Sequence, residues 1–336
     1  VVGVSVVVVL LPWWPPQFKR GDKRLHRVQI HGEQGALSTI TVRTDETILD
    51  AGLRQGLALP YECRNGGCGL CVCSIEQGQY EHRPYQKTAL PDADKERGKA
   101  LMCCAVPHED MAIDVAGFTG ATAEAMETFH ASVAQMERLS PDVMRVMLQL
   151  PAGQRLLFAA GQYINILLDD GQRRAFSFAN RPGASDQIEL HVRLVPGGRW
   201  TTHVFDGMKP GDNVRFEGPL GQFTLRESQH PILFIAGATG FAPIKSIVED
   251  AFARGVQRPM RLYWGVRQPQ DLYMLQQAEQ WQREHDNFTV VPVVSEPTPE
   301  DGWSGRTGLV HEAMLADFPS LSGNEVYLCG SVRMVE

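Results

Sequence analysis

Residues 61–73 read YECRNGGCGLCVC, four cysteines and three glycines in thirteen positions. Sulfur at this density on so flexible a loop serves a disulfide framework, a zinc site or an iron-sulfur cluster. The whole chain holds only seven cysteines in 336 residues, an odd number and far below the density of a secreted disulfide scaffold. A reducing cytoplasm fits that usage better. Structural zinc wants two tight CxxC or CxxH knuckles, and the second half of this set offers only the adjacent pair Cys103 and Cys104. No CxH occurs, which leaves out a cluster held by two histidines.

Cys63, Cys68 and Cys71 stand as CxxxxCxxC, the spacing of a [2Fe-2S] centre, with Cys103 or Cys104 available as the fourth thiolate. Gly66, Gly67 and Gly69 let the backbone wrap closely, adopt positive φ and aim N–H groups at the sulfurs. Cys73 reads as a small buried hydrophobe.

Outward from this loop, HRVQIHG and ALSTITVRT read as a two-stranded hairpin. DETILDAGLRQG reads as a short helix capped by Asp45 or Thr47 and ended by Gly56. Residues 81–99 are polar and broken by proline, and LMCCAVPHEDMAIDV returns to strand character. A small mixed sheet with one helix packed on it is expected over 26–116. GFTGATAEAMET marks a linker over 117–127. Six alternating segments follow, HASVAQMERLS, VMRVMLQLP, QYINILLDDG, RAFSFAN, IELHVRLVPGG and DNVRFEGPLG, which predict an antiparallel barrel over 128–228. From 229 to 336 strand and helix alternate: ILFIAGATG, APIKSIVEDAFARG, MRLYWGV, LYMLQQAEQWQREH, TVVPVVSE and EVYLCG. That order implies a parallel sheet. The fold class is thus multidomain, α+β followed by α/β. AGATGFAP, residues 236–243, joins a buried strand to a helix by a glycine turn, where backbone N–H groups and the positive helix end suit a dinucleotide phosphate.

The net charge of −7 lacks the clustered basic surface that nucleic acid requires. Over residues 26–118, 13 Asp+Glu stand against 9 Lys+Arg, a net of −4 that suits a basic protein partner as well as simple solvation. The first eleven residues are apolar but too few to span a bilayer, and no basic residue precedes them. Residues 1–25 are read as a non-native or disordered leader.

The cysteine segment resembles plant-type ferredoxins, whose last ligand lies in an L-x-C-x-A-x-P context matched by Leu101 to Pro107; the resemblance selects Cys103. The later segments resemble the ferredoxin-NADP reductase superfamily. Arg174, Phe176 and Ser177 match its RxYS signature, with Phe for Tyr. The resemblance implies that Arg174 pairs with the FAD pyrophosphate, a role that suits the guanidinium fork. It also implies that Phe176 packs on the flavin and that Ser177 hydrogen-bonds near its N5. GGRWTTHVF resembles the second flavin motif and implies Gly198 and Thr201 as phosphate donors, with His191 and Arg193 lining the site. AGATGFAP resembles GGTGxAP, with Gly237, Thr239 and Gly240 at the nucleotide and Thr239 beside the nicotinamide. YLCGSVRM resembles CGxxxM, setting Cys329 and Gly330 against the nicotinamide face. NADPH-using relatives place arginine after the serine that ends the third strand of this unit. Here Ser295 is followed by Glu296, whose carboxylate repels a 2′-phosphate and accepts from ribose hydroxyls, so NADH is expected; Arg267 and Arg306 keep NADPH open as the second choice.

All three motif sets follow the order found in single-chain oxygenase reductases, a family whose stretches near CDP-6-deoxy-3,4-glucoseen reductases look most similar. The resemblance implies a β-grasp ferredoxin domain, an FAD-binding β-barrel and an NAD(P)H-binding domain. A hydride carries two electrons and a [2Fe-2S] cluster takes one, so FAD must stand between NADH and cluster. The expected acceptor is a protein, an oxygenase component or a dehydrase; direct reduction of small molecules is the alternative. Ser177, Thr239 and Cys329 are the expected catalytic positions, orienting the two rings. A monomer is expected, with the C-terminal domain incomplete, since relatives continue beyond Glu336.

Overall fold

The computed structural model describes residues 25–61, 64, 66, 67, 69–120, 127–169, 173–183, 186–330 and 334. Cys63, Cys68, the leader up to residue 24 and the linker positions 121–126 lie outside the described residues.

The first unit contains β1 (Leu25–His31), β2 (Leu37–Arg43), α1 (Ile48–Arg54), β3 (Val72–Gln77), β4 (Tyr80–His82), α2 (Asp92–Glu96), β5 (Lys99–Leu101), β6 (Ala105–Pro107) and β7 (Met111–Asp114). The expected hairpin forms, Val28 facing Ile40 across β1 and β2. Five strands run in the order β2-β1-β7-β3-β5, with β1 parallel to β7, and β4 pairs with β6 as a separate ribbon. Alternation puts Val28, Ile30, Ile40 and Val42 on one face, where Ile48, Leu49 and Ala51 of α1 join the same core. Thr47, not Asp45, caps α1: its Oγ1 accepts from the Asp50 N–H at 3.2 Å. The proline-broken stretch 81–99 holds the end of β4 and all of α2, short elements without enough periodicity to read.

The second unit contains β8 (Thr128–Ser140), β9 (Val143–Gln149), β10 (Tyr163–Leu167), β11 (Arg173–Ser177), β12 (Gln187–Arg193), α3 (Arg199–Asp206) and β13 (Asn213–Leu220). All six predicted strands are present, antiparallel in the order β11-β10-β13-β8-β9-β12. A bridge between Phe178 and Leu190 joins the two outer strands and closes the barrel.

The third unit contains β14 (Ile232–Gly237), α4 (Phe241–Ala253), β15 (Met260–Val266), α5 (Leu275–Glu284), β16 (Phe288–Val294), β17 (Arg306–Thr307), α6 (Val310–Asp317) and β18 (Glu325–Cys329). The sheet is parallel, in the order β17-β16-β15-β14-β18. Ile232, Phe234 and Ala236 pack towards α4 and α5, whereas Leu233 and Ile235 pack towards α6, so both faces are covered. Beyond the ends of β14 and β18, where the strand order reverses, such a sheet presents its ligand crevice. Helix α6 and strand β17 went unread in the sequence. Among the described residues no helix is long and apolar enough to cross a membrane.

Candidate redox site

One cavity of about 1700 Å³ is walled by all three units. Asp50, Arg64, Arg83, Cys103 and Cys104 enter from the first. Asn165, Arg173, Arg174, Phe176, Ser177 and Thr201 come from the barrel, and Gly237, Thr239, Gly240, Glu296 and Cys329 from the parallel sheet.

At the cluster end, Cys71 and Cys103 are buried. Cys103 sits in the turn between β5 and β6, its Sγ 3.6 Å from that of Cys104. The neighbouring glycines carry left-handed φ, 74° at Gly66 and 75° at Gly69. A Cβ at Gly66 would stand 2.7 Å from the Cys104 sulfur, and one at Gly69 3.0 Å from the Ala89 carbonyl. Bare backbone is what lets Gly66 lie against Cys104 and Gly69 against Ala89, which fits a tightly wrapped cluster loop. Cys104 Sγ also lies 3.9 Å from the Pro84 carbonyl. Burial pushes the Cys73 thiol up to about 12, so it stays protonated and packs as the small hydrophobe expected.

Arg64, inside the cysteine loop, crosses to the barrel. Its guanidinium meets Asp50 at 2.6 Å and Glu217 of β13 at 3.0 Å, and Arg173 of β11 meets the same Glu217 at 2.5 Å. Burial raises the Asp50 carboxyl, but the Arg64 charge outweighs it and holds the group below the carboxylate range. Beside this junction Asn165 is 2% exposed, and its Nδ2 has no hydrogen-bond partner among the described residues. A buried amide donor on the cavity wall fits a bound group rich in acceptor oxygens.

Arg174, Phe176 and Ser177 line the cavity on β11, and His191 and Arg193 line it on β12, Arg193 pairing with Asp142 at 2.7 Å. Two expected phosphate donors differ. Gly198 is not on the cavity wall; it caps α3. Thr201 is on the wall, but its Oγ1 accepts from Val195 N–H at 3.1 Å and donates towards the Gly198 carbonyl at 3.1 Å. The hydroxyl closes the turn into α3.

At the nucleotide end, Ala238 takes the left-handed φ of 48° where the motif's second glycine would stand. Trp264 Nε1 donates to the Ala238 carbonyl at 3.0 Å, and Phe241 stacks on Trp264 with centroids 3.9 Å apart. A Cβ at Gly240 would collide with the Cys329 carbonyl, and one at Gly237 with the Met334 sulfur, so the ends of β14 and β18 close on each other through glycine. Burial pushes the Cys329 thiol up to about 11, which leaves it neutral. Arg267 and Glu296 both reach the cavity; Arg306 does not, being tied to Asp317 at 2.6 Å.

Sequence spacing could not reveal Asn165, Arg64, Glu217 or Tyr273, the last a wall residue whose hydroxyl lies 3.0 Å from His191 Nδ1. Only Arg64 carried a signal, its place inside the cysteine motif.

Residues 32–108 match the 2Fe-2S iron-sulfur cluster binding domain, 130–225 the oxidoreductase FAD-binding domain and 234–336 the oxidoreductase NAD-binding domain. The chain is 37% identical over 289 residues to the CDP-6-deoxy-L-threo-D-glycero-4-hexulose-3-dehydrase reductase of Yersinia pestis, covering 86% of each chain. It is 38% identical over 304 residues to the phenol hydroxylase P5 protein of Acinetobacter pittii, covering 89% of this chain and 86% of that one. Among solved structures, the Amycolatopsis cytochrome P450 reductase superposes with a TM-score of 0.74 at 33% identity, over 92% of both chains. Matched along most of its length and lined, in one cavity, by cysteine, flavin-motif and nucleotide-motif residues, this chain belongs to the family of iron-sulfur flavoprotein reductases that carry electrons from NAD(P)H through FAD and a [2Fe-2S] cluster.

Proposed function

We propose that the chain oxidises NADH and delivers single electrons to a protein acceptor, an oxygenase component or a deoxysugar dehydrase. The reading is carried by the single cavity that runs from Cys103 past Phe176 and Ser177 to Thr239 and Cys329. The similarity to a dehydrase reductase and to a phenol hydroxylase protein supports those two acceptor classes. NADH is favoured over NADPH because Glu296 stands on the cavity wall while Arg306 is held away by Asp317. A cytoplasmic protein accords with the free thiols of Cys73 and Cys329, and a monomer is proposed with it. The proposed units are 26–116, 128–228 and 229–336, with 117–127 linking the first two; the first encloses a five-stranded sheet and the β4–β6 ribbon, and the others one sheet each.

When bound, the flavin accepts a hydride and releases electrons singly, and the cluster carries one at a time. Cys63, Cys68, Cys71 and Cys103 would hold the irons. Arg174 would clamp the pyrophosphate, Phe176 would pack on the flavin, and Ser177 and Asn165 would donate to it. Gly237, Thr239 and Gly240 would admit the dinucleotide closely, with Arg267, Glu296 and Gly330 around it. Thr239 and the neutral Cys329 would orient the nicotinamide.

The test compares NADH oxidation with cytochrome c and with ferricyanide. Cys103→Ser is expected to abolish cytochrome c reduction and retain ferricyanide reduction, whereas Cys104→Ser retains both. Unchanged cytochrome c reduction in Cys103→Ser and Cys68→Ser would remove the cluster from the exit path and leave small molecules as direct acceptors.

A further inference from the structure

A hydride is one proton and two electrons. When both electrons leave singly through an iron-sulfur centre, which carries no proton, each NADH yields NAD⁺, two electrons passed on and one proton left behind. That proton must be taken up by a base at the site. His191 and Tyr273 on the cavity wall, with the buried Glu189 and Lys245 behind them, form a polar cluster to which no proton-transfer role has been given above. His191 Nε2 lies 2.9 Å from Glu189 Oε1, and His191 Nδ1 lies 3.0 Å from the Tyr273 hydroxyl. Lys245 Nζ reaches the other Glu189 oxygen at 3.2 Å and the Ala179 carbonyl at 2.8 Å. His191 and Tyr273 line the cavity, and the set spans the seam between the barrel and the nucleotide unit.

An ionised carboxylate only accepts, so Nε2 of His191 carries the proton and Nδ1 accepts from Tyr273. The Tyr273 oxygen keeps lone pairs for the cavity. We propose that Tyr273, His191 and Glu189 form the proton-accepting relay of this reductase. The relay rests on the family function assigned above. As the second electron departs, the hydrogen that arrived as hydride leaves as a proton to the Tyr273 oxygen. The tyrosine's own proton passes to His191 Nδ1, and the imidazolium stands against the Glu189 carboxylate. Water entering after NAD⁺ leaves takes the proton back along the same bonds.

The surroundings suit a base that begins neutral. Burial holds His191 below its ordinary range against the opposing pull of Glu189, with Lys245 of α4 and Arg145 of β9 adding to the lowering. Burial would raise Glu189, but the His191 hydrogen bond and the Lys245 charge outweigh it and hold the carboxyl at about 2. Arg193, the remaining charge of β12, is turned to Asp142.

Two variants test this in the flavin- and cluster-loaded chain, Tyr273→Phe and His191→Ala, mixed anaerobically with NADH and cytochrome c in weak buffer with a pH indicator. In Tyr273→Phe, flavin bleaching by NADH is expected to stay within about twofold of wild type. Proton release and cytochrome c reduction slow together by about tenfold to a hundredfold. Added imidazole restores cytochrome c reduction in His191→Ala. Independently, histidine ¹⁵N spectra of the flavin-free full chain should show His191 neutral at pH 7 with its proton on Nε2. Proton release at the wild-type rate in Tyr273→Phe, an equal loss in bleaching and release, or a charged His191 at pH 7 overturns the relay. Wild-type protein that NADH fails to bleach would instead sink the family function.

Discussion

Gly240 has an ordinary helical φ, so its importance lies in space alone: the Cys329 carbonyl occupies the volume a methyl group would need. Gly240→Ala is expected to cost about 2–3 kcal/mol in urea unfolding and to weaken NADH-dependent flavin bleaching, since a backbone carbonyl cannot swing aside. Glu296→Arg should bring NADPH turnover within about tenfold of NADH turnover, seen as a change in the ratio of kcat/KM for the two nucleotides. An unchanged ratio would place the discriminating charge elsewhere. The sequence made these positions readable because their chemistry is local: a glycine turn after a buried run, or a carboxylate in a known slot. Thr201 was less readable. Its hydroxyl looked like a phosphate donor, yet the backbone of its own turn takes it, and no spacing distinguishes the two uses. Asn165 was silent because an orphaned amide is defined by what surrounds it in space.

At the scale of elements, β13 and the cysteine loop are joined by one buried ion pair, with side chains only 6% and 8% exposed at Arg64 and Glu217. Glu217→Ala removes the barrel-side carboxylate from both Arg64 and Arg173 and is expected to cost about 3 kcal/mol of stability. Faster hydrogen exchange should then be confined to β11, β13 and the loop, and cluster reduction by NADH should slow. The β4–β6 ribbon carries a pH dependence of its own. Burial, reinforced by the Lys95 charge, lowers the His82 imidazole to about 4, and its Nε2 accepts from the Leu101 N–H at 3.3 Å. A base whose folded pKa lies below its unfolded value of about 6.5 stabilises the fold above that value and loses this as pH falls towards 4. The loss should be about 1–2 kcal/mol, less than the full shift implies because the ring is partly solvated. Thermal melts of wild type and His82→Gln between pH 7 and 4 should converge; parallel curves would discard the assignment. Strands and long helices were legible by period, as in β8–β13 and α4. Helix α6 escaped: two buried residues, Val310 and Met314, on eight positions give almost no stripe.

At the scale of the molecule, the order of three units was the most legible feature, because composition and periodicity change twice along the chain. How the units meet was illegible. The chain itself carries no sign that Cys103, Ser177 and Thr239 share a cavity, since that depends on Arg64 crossing to Glu217 and on Lys245 crossing to Glu189. The shared chamber has a thermodynamic corollary. A coenzyme seated in it touches more than one unit, so its binding free energy is withheld from any state in which one of them has melted. Differential scanning calorimetry should therefore record separate endotherms for protein stripped of FAD and iron, and a single, hotter and sharper one for the replete protein, with the merger tracking added FAD. Endotherms that stay apart at saturation would mean that each unit melts on its own terms and that the chamber imposes no cooperativity.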